Sequence, residues 1–250
     1  MTVATQIQER LGRIEIEEGV RIVYACESGS RAWGFASADS DFDIRFIYVR
    51  RPDWYLSIDV ESRRDVIELP IENNLDINGW DLRKALKLLR KSNPPLVEWL
   101  GSPMVYRDQF AVADKMRELV RRHLNETACA HHYLQMARGN YRDYLQGDVV
   151  WLKKYLYVLR PLMAVLWIER GYGVVPTEFE RLYSRVIDDA AVLQAIDELL
   201  QRKRDSKELD QGPKIGPISD FIDREMSPRS RRTGNPARRA ADRGVGCTVS

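Results

Sequence analysis

The sequence predicts an α+β fold in which a strand-rich first half precedes a helical second half. Up to residue 108, short segments rich in β-branched residues alternate with turn residues, a pattern typical of a small mixed sheet. From residue 109 to 201, apolar residues recur at helical spacing instead. Because strands and helices are segregated along the chain, we expect a sheet domain over residues 1–108 and an α-helical domain over residues 109–226.

The first half is predicted to hold all the strands. Its apolar pattern predicts a leading helix over 5–17 and strands over 21–25, 41–49, 65–71, 75–80 and 102–106. Asp81 is a good N-cap for a helix over 82–91, and Pro94-Pro95 separate that helix from a short one over 96–100. Pro103 keeps the last strand out of a central position, because proline cannot donate a ladder hydrogen bond.

The second half is predicted to be helical up to a polar linker. The candidate helices cover 109–123, 126–145, 149–170, 177–186 and 188–202. Residues 203–217 are polar and contain glycine and proline, so we expect a linker there, with one last helical segment over 218–226. Residues 227–250 have few core-forming side chains and predict a disordered basic tail.

The charge of the chain is unevenly distributed. The formal net charge is +2, yet the tail has six arginines and one acid and so carries +5, which leaves −3 on residues 1–226. The globular part therefore lacks the overall basic character of a nucleic-acid-binding domain, and any such contact must come from a local patch.

The remaining composition indicates a cytoplasmic protein. Hydrophobic residues make up 44% and charged residues 30% of the chain, which is typical of soluble globular proteins. The three cysteines are scattered, so we expect neither a disulfide framework nor a zinc site. The first ten residues do not have the pattern of a secretory signal, and the longest apolar stretch is interrupted by Arg160 and Pro161. We therefore expect no membrane partner.

Two short motifs lie between the first two predicted strands. Gly29-Ser30 follows the first strand where the chain turns into a helix, and a glycine there lets the backbone approach a phosphate closely. Asp41 and Asp43 lie two residues apart in the second predicted strand, so their side chains point to the same face. Adjacent carboxylates repel each other, and a divalent cation such as Mg²⁺, held together with substrate phosphates, gives a reason for the pair.

The spacing Gly29-Ser30, ten residues, Asp41-x-Asp43 resembles the signature of the DNA polymerase β-like nucleotidyltransferase superfamily. The longer stretches 29–35 and 40–49 are similar to a bacterial and phage family of predicted nucleotidyltransferases, some of them associated with RNA repair. The resemblance implies a polymerase-β-like catalytic domain and a helical domain that forms the other wall of a cleft. It also implies Mg²⁺- or Mn²⁺-dependent transfer of a nucleoside monophosphate from an NTP to an acceptor, with release of pyrophosphate.

Under this resemblance Asp41 and Asp43 bind metal, and a third carboxylate completes the site. Asp76 is the first candidate, because aspartate is disfavoured inside a strand and the resemblance places an acid there. Glu68 is the second candidate, whereas Asp81 is explained by its capping role. Gly29 and Ser30 are expected to hold the β- and γ-phosphates, although Ser30 also suits an ordinary helix N-cap.

Four basic residues are further candidates. Arg31 is expected to contact a phosphate or to pair with a neighbouring acid, and Arg45 has the parity of Asp41 and Asp43 and suits their neutralisation. Lys153 and Arg160 lie on one stripe of a helix, and the resemblance implies that they bind the triphosphate. The alternative for this stripe is an internal ion pair with an acid of the helical domain, such as Asp143 or Glu169.

The acceptor is left open between an RNA hydroxyl, a protein side chain and a small molecule. Two alternative functions also remain, an inactive nucleotide-binding regulator and a nucleotidyltransferase that modifies a partner protein such as a toxin. An inactive relative should have lost a carboxylate, and both Asp41 and Asp43 are present. The sequence therefore favours the enzyme.

Overall fold

The computed structural model describes residues 2–205 and 211–227. The elements follow the chain in the order α1 Val3–Glu18, β1 Arg21–Glu27, α2 Gly29–Trp33, β2 Phe42–Val49, α3 Pro52–Tyr55, β3 Val66–Glu68, β4 Leu75–Asp81, α4 Leu82–Arg90, α5 Pro94–Leu100, β5 Val105–Asp108, α6 Val112–His123, α7 Glu126–Tyr144, β6 Val149–Trp151, α8 Leu152–Glu169, α9 Phe179–Val186, α10 Ala190–Asp205, β7 Gln211–Pro213 and α11 Gly216–Met226. The predicted α+β class is confirmed.

The first half is built on a five-stranded mixed sheet. The strands lie in the order β3-β4-β2-β1-β5, with β2 and β4 parallel and the other neighbours antiparallel. One face of the sheet packs on Ile7, Leu11 and Ile14 of α1, and the opposite face packs on α4, α5 and α6. The last predicted strand lies at the sheet edge as expected, but it covers Val105–Asp108 rather than 102–106, so Pro103 precedes it. No helix in the described part of the chain is both long and apolar enough to cross a membrane.

The helical half has its own core, made by α7 to α11. The expected division at residue 108 does not coincide with the division between cores, because Ala113, Met116 and Val120 of α6 pack in the sheet half. Phe35, which follows α2, packs edge-on against Phe179 in the helical core. Apolar periodicity identifies a helix but not the core that it joins, so the boundary after α6 is not visible in the sequence.

Two predictions for the second half also differ from the structure. The helix predicted over 149–170 begins at Leu152, because Val149–Trp151 form β6 and pair antiparallel with β7. β7 lies in the stretch predicted as a linker. β-branched Val149 and Val150 favour a strand, but their partner is about 60 residues away, beyond the reach of local patterns. Residues 228–250 of the predicted tail lie outside the described residues.

Candidate active site

The candidate site lies at the edge of the sheet where β1 ends and β2 and β4 begin. In the parallel register of β2 and β4, Asp43 stands directly beside Asp76, so both carboxylates lie on one face of the sheet. Their side chains keep 26% and 31% of their surface exposed. The two acids are thus partly desolvated and still open to a ligand. Glu68 lies on β3 at the sheet edge and pairs with Arg64, so the geometry favours Asp76 over Glu68.

Arg45 binds both of these carboxylates. Its Nη2 donates to Asp43 Oδ1 at 3.0 Å and to Asp76 Oδ2 at 2.7 Å, and its Nη1 donates to the Asp76 carbonyl at 2.9 Å. Burial raises the pKa of Asp43, the charge of Arg45 opposes this shift, and Asp76 and Asp41 add to it. The negative charge of Asp43 is therefore not fully compensated by the protein.

Asp41 and Arg31 lie on the segment that leads into β2. Asp41 is exposed, and the strand begins one residue later, at Phe42. Arg31 donates to the carbonyls of Ser40 and Asp41 at 2.6 and 3.1 Å, and its guanidinium lies 3.7 Å from the ring centroid of Phe42. Arg31 thus pairs with carbonyls rather than with the predicted acid and holds this segment in place. Its phosphate contact stays a prediction.

Gly29 brings the backbone against Asp43. Its φ is +56°, and a Cβ on this residue would lie 2.0 Å from Asp43 Oδ2. The N-cap of α2 is Ser28, so the alternative role of Ser30 as N-cap is wrong, and Ser30 is a buried residue of the helix itself. The close approach that the sequence predicts for a phosphate is made here by a carboxylate of the site.

We expect Gly29→Ala to weaken binding of an NTP with Mn²⁺ by about tenfold, because the added methyl group displaces the Asp43 carboxylate. Gly19→Ala is a matched control, since Gly19 has a φ of +62° but no atom within 4 Å of an added Cβ. Both variants should lose about 1 kcal/mol of stability through the strained φ. Calorimetric titration with NTP and Mn²⁺ measures the NTP affinity of each variant. Equal affinities in the two variants would contradict the assignment of Gly29.

Glu27 is a site residue that the sequence analysis did not assign. It is fully buried, and its Oε1 accepts the N–H of Asp43 at 2.7 Å while its Oε2 accepts the Tyr106 hydroxyl. Burial raises the pKa of Glu27, and its two donors oppose this shift. Glu27 therefore fixes the backbone of Asp43. The sequence feature that could have identified Glu27 is an acidic residue at the end of an otherwise apolar strand.

Helix α8 faces the aspartates from the helical half. Burial raises the pKa of Tyr157, and the charges of Asp43 and Asp41 add to this shift, which places Tyr157 near the carboxylates. The ring of Tyr157 packs edge-on against Trp33 of α2, with 5.6 Å between centroids. The two halves thus meet at the candidate site.

Lys154 lies beside Tyr157, and the charge of Lys153 acts on both Lys154 and Lys203. Lys154 Nζ lies 4.9 Å from the Tyr157 ring centroid, and its pKa is lowered by burial and then by Lys153. Lys203 of α10 also has a lowered pKa, through burial and then Lys153. Like charges held together in a partly buried place favour an anionic ligand. Lys154 is thus a phosphate-binding candidate beside the predicted Lys153.

Arg160 has a different role from the predicted one. It is 1% exposed, and its Nη1 donates to Glu98 Oε1 at 2.5 Å while its Nη2 donates to the Thr177 carbonyl at 3.2 Å. Trp33 Nε1 donates to the other Glu98 oxygen at 3.1 Å. The predicted triphosphate contact of Arg160 is wrong, because its guanidinium is enclosed. The ion-pair partner of Arg160 is therefore Glu98 of the sheet half, and not the expected Asp143 or Glu169.

The donor set fits a hard divalent cation that binds together with its substrate. Carboxylate oxygens such as those of Asp43 and Asp76 are preferred ligands of Mg²⁺, which usually takes one or two carboxylates plus substrate phosphates. Among residues 2–205 and 211–227, no group of three His, Cys, Asp or Glu side chains is preassembled to hold a metal. The roles of Asp41, Asp43 and Asp76 as metal ligands thus stay a prediction.

Known proteins and a family model align with nearly the whole chain. The model of a family described as the RNA repair pathway DNA polymerase beta family matches residues 3–244. The protein titled "Uncharacterized protein YcgL" of Bacillus subtilis (strain 168) is 49% identical over 221 residues, which are 88% of this chain and 84% of that protein. A solved nucleotidyltransferase-like protein from Exiguobacterium sibiricum 255-15 aligns with 88% of this chain and 74% of its own, at 14% identity and a TM-score of 0.33. The family match includes every residue of the candidate site.

Proposed function

The chain belongs to the RNA repair pathway DNA polymerase beta family, and from this premise we propose that it is a metal-dependent nucleotidyltransferase that uses an NTP and acts on a hydroxyl group of RNA. The observation that carries the proposal is the pairing of Asp43 with Asp76 in register. Lys154 supports it, because it lies beside Tyr157 on the helix that faces the aspartates. One wall attracts cations and the other attracts anions. Together they are complementary to a nucleoside triphosphate and its metal ion.

In the proposed reaction the acceptor oxygen forms a bond to the α-phosphorus while the bond from that phosphorus to the β-phosphate oxygen breaks. The hydroxyl proton passes to water, and pyrophosphate leaves. When bound, Mg²⁺ or Mn²⁺ neutralises phosphate charge and lowers the pKa of the attacking hydroxyl. Asp43 and Asp76 would hold the metal, with Asp41 at the mouth of the site, while Lys153 and Lys154 bind the β- and γ-phosphates.

The direct test is incubation with each labelled NTP and Mg²⁺ or Mn²⁺, followed by separation of an RNA pool and a protein pool. We expect label in the RNA. Label in the protein pool would instead assign the chain to the protein-modifying alternative. Nucleotide binding without label in either pool would assign it to the regulator. Asp43→Asn is the negative control for every reaction.

We expect Arg45→Gln to tighten Mn²⁺ binding by about tenfold, because Arg45 occupies both carboxylates that would hold the metal. Without metal, Asp43 and Asp76 then repel each other, so the variant should melt at a lower temperature and recover when Mn²⁺ is added. Electron paramagnetic resonance measures free Mn²⁺ directly. Arg10→Gln, which breaks an Arg10–Glu17 pair outside the site, is the control, and weaker Mn²⁺ binding by Arg45→Gln would contradict the prediction.

A further inference from the structure

A group of arginines surrounds Trp54 of α3, at the opposite end of β2 from the aspartates. We call this cavity the Trp54 pocket. It has a volume of about 270 Å³ and is lined by Gly19, Arg50, Arg51, Asp53, Trp54 and Arg63. Three guanidinium groups therefore share the pocket with a single carboxylate.

The arginines of the Trp54 pocket are only partly neutralised. Arg50 and Arg63 lie over the indole, 4.2 and 4.4 Å from its ring centroid. Arg63 makes no ion pair with an acid of the described residues. The Nε of Arg50 is buried and has no hydrogen-bond partner, although the rest of its guanidinium is held by Glu18. Arg51 pairs with Asp53 at 3.8 Å, and both of these side chains are exposed. An anion in the pocket would relieve the remaining repulsion between like charges.

A neighbouring cavity is less basic than the Trp54 pocket. It shares Trp54 and Arg63 and is also lined by Arg64, Arg83 and Lys87, but three acids line it as well, Glu61, Asp65 and Asp81. Arg64 pairs with Glu68, and Arg83 and Lys87 both pair with Glu61. The excess of positive charge therefore lies in the Trp54 pocket, where guanidinium groups suit a phosphate through paired hydrogen bonds. The pocket is a local basic patch in a globular part whose overall charge is negative.

We propose that the Trp54 pocket binds a backbone phosphate of the acceptor RNA strand, away from the site of transfer. The inference rests on the proposed function in that it takes RNA as the acceptor. Arg50 directly follows β2 and comes seven residues after Asp43, which corresponds to about 23 Å of extended chain. At the duplex spacing of about 3.4 Å per nucleotide, a strand would cover that length in roughly seven nucleotides, and an extended single strand would need fewer. The pocket thus holds the RNA body while its reacting end lies at the aspartates.

The test is the salt dependence of binding to a labelled 20-nucleotide single-stranded RNA, measured by fluorescence anisotropy. The variant is Arg51→Gln with Arg63→Gln, since both side chains are exposed. Arg13→Gln with Lys115→Gln removes the same charge from exposed positions elsewhere and is the control. We expect on the order of tenfold weaker RNA binding for the pocket variant only. The slope of log K against log salt should fall by about 0.7, because the pocket holds one phosphate and each lost phosphate contact contributes about 0.7.

Unchanged RNA affinity and salt slope in the pocket variant would overturn the proposal. It would also be overturned if the variant lost affinity for inorganic phosphate or ATP but not for RNA, because the pocket would then be a small-anion site. The labelling experiment on the wild-type chain tests the proposed function independently of the pocket. If no label reaches RNA while RNA binding still depends on Arg51 and Arg63, the proposed function is wrong and the pocket assignment holds.

Discussion

Asp43→Asn is expected to abolish nucleotidyl transfer, by on the order of 10³-fold, while the chain stays folded. Asparagine keeps the size of the side chain and its place in β2 but removes the charge that holds a metal ion. A loss of about 4 kcal/mol of transition-state stabilisation corresponds to this factor. The measurement is the single-turnover rate with labelled NTP and Mg²⁺. Asp59→Asn, a change at an exposed acid outside the site, is the control.

The same variant has a second, independent readout in stability. Burial raises the pKa of Asp43 in the folded chain, so this group favours folding most when it is protonated. Its contribution declines as the pH rises through the folded pKa. At neutral pH, removing the charge should leave the free energy of unfolding equal or higher, as measured by urea denaturation. Near-wild-type activity would contradict the metal assignment, and an unfolded variant would indicate a structural role.

Arg160→Met is expected to lower the free energy of unfolding by about 3–5 kcal/mol. The change leaves Glu98, which is 5% exposed, charged and without its cation in the interior. Removing one partner of a buried ion pair typically costs this much. Urea denaturation measures the loss, and NTP affinity at temperatures where the variant is folded should be unchanged.

In the control for Arg160→Met we expect the opposite pattern, with a change in NTP binding and almost none in stability. Lys154→Met should raise the KM for NTP several-fold and leave the free energy of unfolding nearly unchanged, because Lys154 faces the site rather than the core. Adding Glu98→Gln to Arg160→Met should restore part of the lost stability, since the uncompensated charge is removed. A fall in NTP affinity without a fall in stability would mean that Arg160 contacts the nucleotide after all.

The sequence predicts the parts of the site that local patterns encode. The turn at Gly29 and the alternation around Asp43 depend on neighbouring residues, and both lie where the motifs place them. Asp76 is a candidate from the sequence because an aspartate between Leu75 and Ile77 contradicts strand propensity. Its place beside Asp43 depends on the parallel register of β2 with β4, which the sequence alone does not specify.

The second wall of the site was harder to predict, because α8 is apolar on nearly every side. A helix with apolar residues all round gives no periodic signal for the face that points to a cleft. Lys154 therefore becomes a candidate only through its place beside Tyr157, which packs against Trp33. The sequence does not show that Arg160 forms an ion pair, because its partner Glu98 lies 62 positions earlier and belongs to the sheet half.

The Glu98–Arg160 pair has a consequence for recombination between relatives. Its acid is encoded in the segment for α5 and its base in the segment for α8, and Trp33 adds a third distant position. A chimera that joins the sheet half of one protein to the helical half of another must therefore inherit all three residues as a matched set. Hybrids joined between α6 and α7 should fold only when both parent proteins have this set of residues. The two halves must therefore be exchanged together, even though each has its own core.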